Sequence, residues 1–273
     1  MTARAALPMY DWPEVGAALD TFWSLVHRQL RAAGIDAPDR LTRPDGVDDL
    51  WSDHSTVVDQ VCSLNPVREG AGTVVPLGTL AYVAPDDLPT CPPGDYYSVI
   101  VCRTSDARRH GGDVAAFGGA RIVANGTDSQ SGYWSLGHHV RDRTGARPLF
   151  GRCGFSGSHR ASIRAVADGM ADLAAIDVHS WRLALEHEPA AHELAVIETT
   201  SPTPGVVCVT GAASVDRAAV IDACLASAAE AMVGTPAGRA MGLAGYRSRE
   251  PHEFDVVARR VACASHTPWH TRS

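Results

Sequence analysis

The chain has 273 residues, 45% of them hydrophobic and 20% charged, with a formal net charge of −7. That composition is ordinary for a globular protein, and the length suits one large domain or two lobes with cores of their own. The acidic balance leaves no footprint for nucleic acid or an anionic membrane, so an anionic ligand would have to be held by local donors such as helix N-termini.

In chain order, the opening stretch MTARAALPMYDWPEV is interrupted by Pro8, Asp11 and Pro13 and holds no apolar run of signal-peptide length. No run approaches the roughly 18–20 apolar residues that a membrane span needs. As written, the chain is expected in the cytoplasm, and in the periplasm or outside the cell if its start is truncated. Val15, Leu19, Phe22, Val26 and Leu30 recur at steps of three and four, which predicts an amphipathic helix over 15–31, ended by Gly34 and Pro38. A short helical patch is expected at 45–52. Strands follow at 57–62, 74–83 and 96–103, with a proline- and aspartate-rich loop at 84–95 between the last two.

From residue 112 the rhythm becomes strand, helix, strand. A buried strand at 120–125 stops at Asn125-Gly126, and a polar loop at 127–131 leads into a helix at 132–141. GFSGS at 154–158 follows a strand-like segment and opens a helix with Ile163, Val166, Ala167 and Met170 on one face. Residues 173–177 read as a strand, 178–188 as a helix and 194–200 as a strand. SPTPG punctuates, 206–211 is a further strand, and helices are expected at 214–232 and 235–243. Little pattern remains after Arg260. Strands alternating with helices predict an α/β class with mostly parallel sheets flanked by helices.

Two loops share one chemical design. Asp128, Ser129, Gln130, Ser131 and Gly132 follow a strand and open a helix, and so do Ser156, Gly157, Ser158 and His159. Each offers hydroxyls and glycine where backbone N–H groups lack intrahelical partners, which suits a phosphate, phosphonate or carboxylate. The serines equally read as helix caps. Asp177 ends a strand before a helix, so it reads as an N-cap or as a carboxylate facing a cleft. Tyr10 and Asp11 lie just past the N-terminal apolar segment, and Gln60, Cys62, Ser63 and Asn65 lie where the second strand ends, at a cleft edge.

The seven cysteines are odd in number and form no CxxC pair, so neither a disulfide framework nor a zinc site is expected. The histidines show no ligand spacing, and no nucleophile elbow, P-loop or dinucleotide glycine pattern is present. No cofactor, metal or complete catalytic set is therefore expected. Cys62 is the one cysteine placed near a cleft and so the candidate nucleophile.

MYDWPE at 9–14, DQVCSLNP at 59–66, YYSVIVCR at 96–103, NGTDSQSGYW at 125–134, SGSHRASIRAV at 156–166, ADLAAIDVHSW at 171–181 and SPTPGVVCVT at 201–210 occur in an ordered set. On these the chain resembles the phosphate/phosphite/phosphonate substrate-binding proteins of ABC transporters, within the type 2 periplasmic-binding fold. The resemblance implies two lobes, one of residues 1–101 and 203–273 and one of residues 102–202, joined by two crossing strands that act as a hinge. It implies a small oxyanion held in the interlobe cleft by Ser129, Gln130, Ser131, Ser158 and His159. Tyr10 would cover the ligand, Tyr97 lies in the matching stretch, and Asp177 would meet a ligand amine. A transporter permease is the implied partner, with the chain as a monomer or weak dimer. The family's glycine-tyrosine pair does not follow Cys62. The alternative is a cytoplasmic enzyme on the same fold acting on a small anionic metabolite, with Cys62, Asp177, His159 and His179 as its candidate groups; a third is a regulatory or structural subunit.

Overall fold

The computed structural model describes residues 3–43, 55–67, 74–145 and 149–263. The short helix expected at 45–52 lies outside them. Elements run β1 (Arg4–Ala6), α1 (Gly16–Ala32), β2 (Thr56–Val61), β3 (Val74–Tyr82), β4 (Asp95–Tyr96), β5 (Ser98–Arg103) and α2 (Thr104–His110). Next come β6 (Arg121–Ala124), α3 (Ser135–Thr144), β7 (Arg152–Phe155), α4 (His159–Ala167), β8 (Leu173–Asp177), α5 (Val178–His187) and β9 (Leu194–Thr199). The chain ends with β10 (Thr203–Pro204), β11 (Val207–Gly211), α6 (Ala218–Met232), α7 (Pro236–Ala240), β12 (Leu243–Ser248) and α8 (Asp255–Cys263).

Two compact units result. The first takes the described residues within 1–83, 92–95 and 204–255, and the second those within 84–91, 96–203 and 256–263. In the first unit a five-stranded sheet has the order β1-β2-β11-β3-β12. The apolar stripe of α1 (Leu19, Phe22, Trp23, Val26 and Leu30) is buried in a core shared with Val58, Leu77, Leu225 and Ala228. Each such side chain contributes about 1.5–3 kcal/mol by leaving water, which is why the 3.6-residue period predicted this helix correctly.

In the second unit a five-stranded sheet has the order β7-β6-β8-β5-β9. Its core gathers Ile100, Ile122, Leu136, Val140, Phe150 and Leu173. Two short strands, β4 and β10, form a separate two-stranded sheet.

The α/β class stands, but the sheets are mixed rather than mostly parallel. β1 pairs parallel with β2, whereas β11 lies antiparallel to both β2 and β3, and β12 antiparallel to β3. The returning chain inserts β11 between two earlier strands, an order that local alternation of strands and helices does not reveal. In the second unit β7, β6 and β8 are mutually parallel, while β5 is antiparallel to β8 and β9.

Two more expectations are corrected. The helix expected from 214 begins as a 3-10 segment at Ala212–Arg217 and turns α-helical at Ala218. The helix expected to reach 243 stops at Ala240; Gly242, at φ 63°, turns the chain, and Leu243–Ser248 becomes the edge strand β12. The segment before and after Arg260 is also ordered as α8, with Arg260 donating to the carbonyls of Ser201 and Pro202.

Candidate functional site

The parallel trio β7-β6-β8 sends each of its carboxyl ends directly into a helix. After β6 comes a π-helical turn, Gln130–Trp134, that runs on into α3. After β7 comes α4, and after β8 comes α5. Parallel neighbours bring these three helix starts to one edge of the sheet, where ligands of open α/β sheets bind. Each start carries N–H groups without intrahelical partners and a partial positive charge, which at α5 the Asp177 carboxylate meets.

Each start is shaped by a short polar side chain. Ser129 Oγ accepts from the Gly132 N–H at 2.9 Å and caps the π-helical turn. Gly132 is required by close approach: a Cβ there would lie 1.9 Å from Asn125 Oδ1. Ser158 Oγ accepts from the Ala161 N–H at 3.1 Å and caps α4. Its neighbour Gly157 sits at φ 85°, a left-handed turn that glycine takes without strain. Asp177 Oδ1 accepts from the N–H groups of His179 and Ser180 at 3.0 and 2.9 Å, and Oδ2 from Ser180 Oγ at 2.5 Å. The capping alternative thus describes these side chains well. An accepting serine still has its own hydroxyl hydrogen to donate, so capping and ligand donation are compatible.

The three loops meet at one imidazole. His159 Nε2 lies 2.8 Å from Ser131 Oγ and 3.3 Å from Asp177 Oδ2. Burial pushes the His159 pKa below the usual value, against the pull of Asp177 and of the Ala175 carbonyl. Behind the site, Ser98 Oγ donates to the Ser131 carbonyl at 2.9 Å, and Gln130 Nε2 donates to Ser135 Oγ at 3.2 Å and Thr203 Oγ1 at 3.5 Å. Ser156 Oγ is held by the Ser158 carbonyl and by Ser162 Oγ, at 2.9 and 2.7 Å. Asp128 is exposed on the first loop. Phe155, 56% exposed, closes β7 beside Ser156 with its ring 6.1 Å from that of Tyr133.

This cluster is not a hydrolase triad. A relay needs the base to use one ring nitrogen for the serine and the other for the carboxylate. Here Nε2 faces both, and Nδ1 is buried with no hydrogen-bond partner. His179, the other histidine considered, is buried and held well below the usual pKa by that burial, with Arg182 adding to the effect.

The remaining expected site residues have these surroundings within their own units. Tyr97 is in the second unit, but its hydroxyl donates to the Pro89 carbonyl at 2.6 Å and burial pushes it up to about 12. Tyr10, Asp11, Gln60 and Cys62 belong to the first unit. Tyr10 is buried edge-on against Tyr82, with ring centroids 5.2 Å apart. Asp11 accepts from Arg43 Nε at 2.6 Å. Gln60 is buried in β2, and Cys62 is half-buried just past its end. Ser98, Ser180 and Thr203 support the site and were not singled out from sequence; only the register of β5 against β8 brings Ser98 opposite Asp177. Among the described residues no group of His, Cys, Asp and Glu is placed to hold a metal ion, and no helix is long and apolar enough to cross a membrane.

Residues 69–254 match the family model described as ABC transporter, phosphonate, periplasmic substrate-binding protein. No curated protein matches the chain. Among solved structures it is similar to XAC2383 from Xanthomonas citri bound to ATP, at 15% identity and TM-score 0.69, over 97% of this chain and 98% of that one. It is also similar to PhnD1 from Prochlorococcus marinus (MIT 9301) in complex with methylphosphonate, at 15% identity and TM-score 0.67, over 96% and 98%. PA3383 of Pseudomonas aeruginosa, a binding protein component of an ABC phosphonate transporter, matches at 14% identity and TM-score 0.67, over 96% and 86%. At these identities the likeness shows a shared two-lobed periplasmic-binding fold.

Proposed function

The chain belongs to the periplasmic phosphonate substrate-binding proteins of ABC transporters, and on that premise we propose that it captures a small oxyanion, a phosphonate or phosphate, at the carboxyl edge of β7-β6-β8. The family role implies a small ligand and a transporter as partner; the ligand's identity and the residues that hold it are the proposal. One observation carries it. Three helix starts meet around Ser131, His159 and Asp177, with the hydroxyls of Ser129 and Ser158 beside them. Such a place offers hydrogen-bond donors and helix-dipole charge without a cation.

Binding needs no bond to be made or broken here, and the shared Nε2 gives His159 no route to act as a relay base. That favours capture over the enzyme alternative. Isothermal titration with phosphate, phosphite, methylphosphonate and aminoethylphosphonate tests the reading. At least one should bind, and Ser129→Ala with Ser131→Ala should weaken it by about 1.5–3 kcal/mol per lost charge-assisted hydrogen bond. Affinity untouched by both substitutions would place the ligand elsewhere.

A further inference from the structure

Resting on the oxyanion site proposed above, we infer that Phe155 selects the ligand's organic group: its exposed ring is an apolar face beside the oxyanion loops that favours a phosphonate or phosphate ester with a flat apolar substituent, such as an aryl group, over inorganic phosphate.

The five phenylalanines divide by exposure. Phe22, Phe117, Phe150 and Phe254 are 0%, 3%, 1% and 0% exposed, whereas Phe155 is 56% exposed. A lone apolar residue at the surface is ordinary in itself, so its place has to decide. Of the other large apolar side chains exposed among the described residues, Val83, Val215, Val220 and Val233 belong to the first unit, and Met170 follows the far end of α4. Phe155 is the one that stands at the carboxyl edge of β7-β6-β8, as the last residue of β7.

The ring is backed by other rings. Ala124 is the parallel partner of Phe155 on β6, and Ala124 shares a buried core with Tyr133, so the Phe155 ring falls on that face of the sheet. There it lies 6.1 Å from the buried Tyr133 ring. Tyr133 packs edge-on against Trp134 with centroids 5.1 Å apart, and Trp134 Nε1 donates to the Thr127 carbonyl at 2.9 Å. Both oxyanion loops therefore fix the ring. Tyr133 follows Gly132 in the π-helical turn, and Phe155 precedes Ser156, whose N–H donates to the Ala124 carbonyl at 2.9 Å. A ring held in this way loses little freedom when a ligand covers it.

Inorganic phosphate presents oxygen in every direction, whereas a phosphonate or a phosphate ester has one organic side. The face of an aromatic ring is electron-rich and repels phosphoryl oxygens. With those oxygens on the loop donors, the organic side is the one that can cover Phe155. A methyl group covers little of it. An aryl group covers far more and adds ring–ring attraction.

Isothermal titration of the full chain with phosphate, methylphosphonate and phenylphosphonate tests this. Wild type should bind phenylphosphonate most tightly and phosphate least. In Phe155→Ala the ratio of phenylphosphonate to phosphate affinity should fall about tenfold, and Phe155→Trp, which keeps a flat apolar face, should restore it. Should Phe155→Ala not reach a wild-type melting temperature, Phe155→Leu removes the ring but keeps apolar bulk, and the ratio should fall at least about threefold. A smaller fall, no recovery with tryptophan, or a wild type that binds phosphate as tightly as phenylphosphonate would overturn the inference and leave the oxyanion reading in place. A wild type that binds none of the three anions overturns the oxyanion reading, and the role of Phe155 with it.

Discussion

Asp59 is a carboxyl group with almost no water around it. It lies in β2, 2% exposed, with Oδ1 accepting the Gln60 N–H at 2.7 Å. Burial pushes it up from 3.8 to about 7, and the Gln60 N–H and Arg4 offset only part of that. A raised pKa means that the folded state holds the proton more tightly than the unfolded chain. Its contribution to stability is therefore complete below about pH 3.8 and is lost as pH rises through about 7. Asparagine keeps the acceptor and cannot ionise. Asp59→Asn should accordingly gain stability relative to wild type as pH rises, by about 2–3 kcal/mol more at pH 8 than at pH 5. Urea denaturation at both pH values reads this, and a difference independent of pH would mean that Asp59 is ionised in the fold without penalty. Gly132 gives a second residue-scale test of the site itself. Because a Cβ there would meet Asn125 Oδ1 at 1.9 Å, Gly132→Ala should displace the turn that presents Ser129 and Ser131. Oxyanion affinity should fall further than the melting temperature alone suggests; unchanged affinity would detach the ligand from this turn.

Among elements, β12 shows what local sequence hides. LAGYRS has no clean alternation and follows a helix directly, and it becomes a strand only because β3 offers it an open edge. Gly78 in β3 is what allows that approach. A Cβ there would lie 2.5 Å from the Tyr246 ring and 2.6 Å from the Arg247 carbonyl, and Tyr246 cannot swing aside because its hydroxyl is held by Asp222 at 2.5 Å. Gly78→Ala should destabilise the protein by about 1–3 kcal/mol in urea denaturation, the usual cost of overpacking; a neutral outcome would mean that β12 does not seat on β3 at this point. By contrast α1, β6, β8 and α5 were readable because their signals are local: a 3.6-residue stripe, a buried run, and an aspartate poised to cap. The candidate site divides in the same way. The serines and Asp177 declared themselves as helix starts. That Ser131, 28 residues from His159, shares its nitrogen with Asp177 follows only from β6 lying between β7 and β8. Asp11 and Tyr97 looked equally suitable by residue type, yet Arg43 and the Pro89 carbonyl engage them, and neither partner is visible as a motif.

For the molecule as a whole, the candidate site and the net charge oppose each other. The attraction for an oxyanion comes from hydroxyls and helix starts, whose fields fade within about a helical turn. The formal charge of −7 acts over a longer range and repels a dianion. These two fields respond differently to salt. At about 10 mM ionic strength the Debye length is ~30 Å and the repulsion reaches well into solution, whereas at about 150 mM it shrinks to ~8 Å. A dianionic phosphonate should therefore associate a few-fold faster at the higher salt, with a dissociation rate that changes little because the short-range contacts are screened much less. Stopped-flow binding at the two ionic strengths checks this. A rate that falls with salt would mean that a cationic surface guides the ligand inward, and a site made only of neutral donors and helix ends would then be the wrong description.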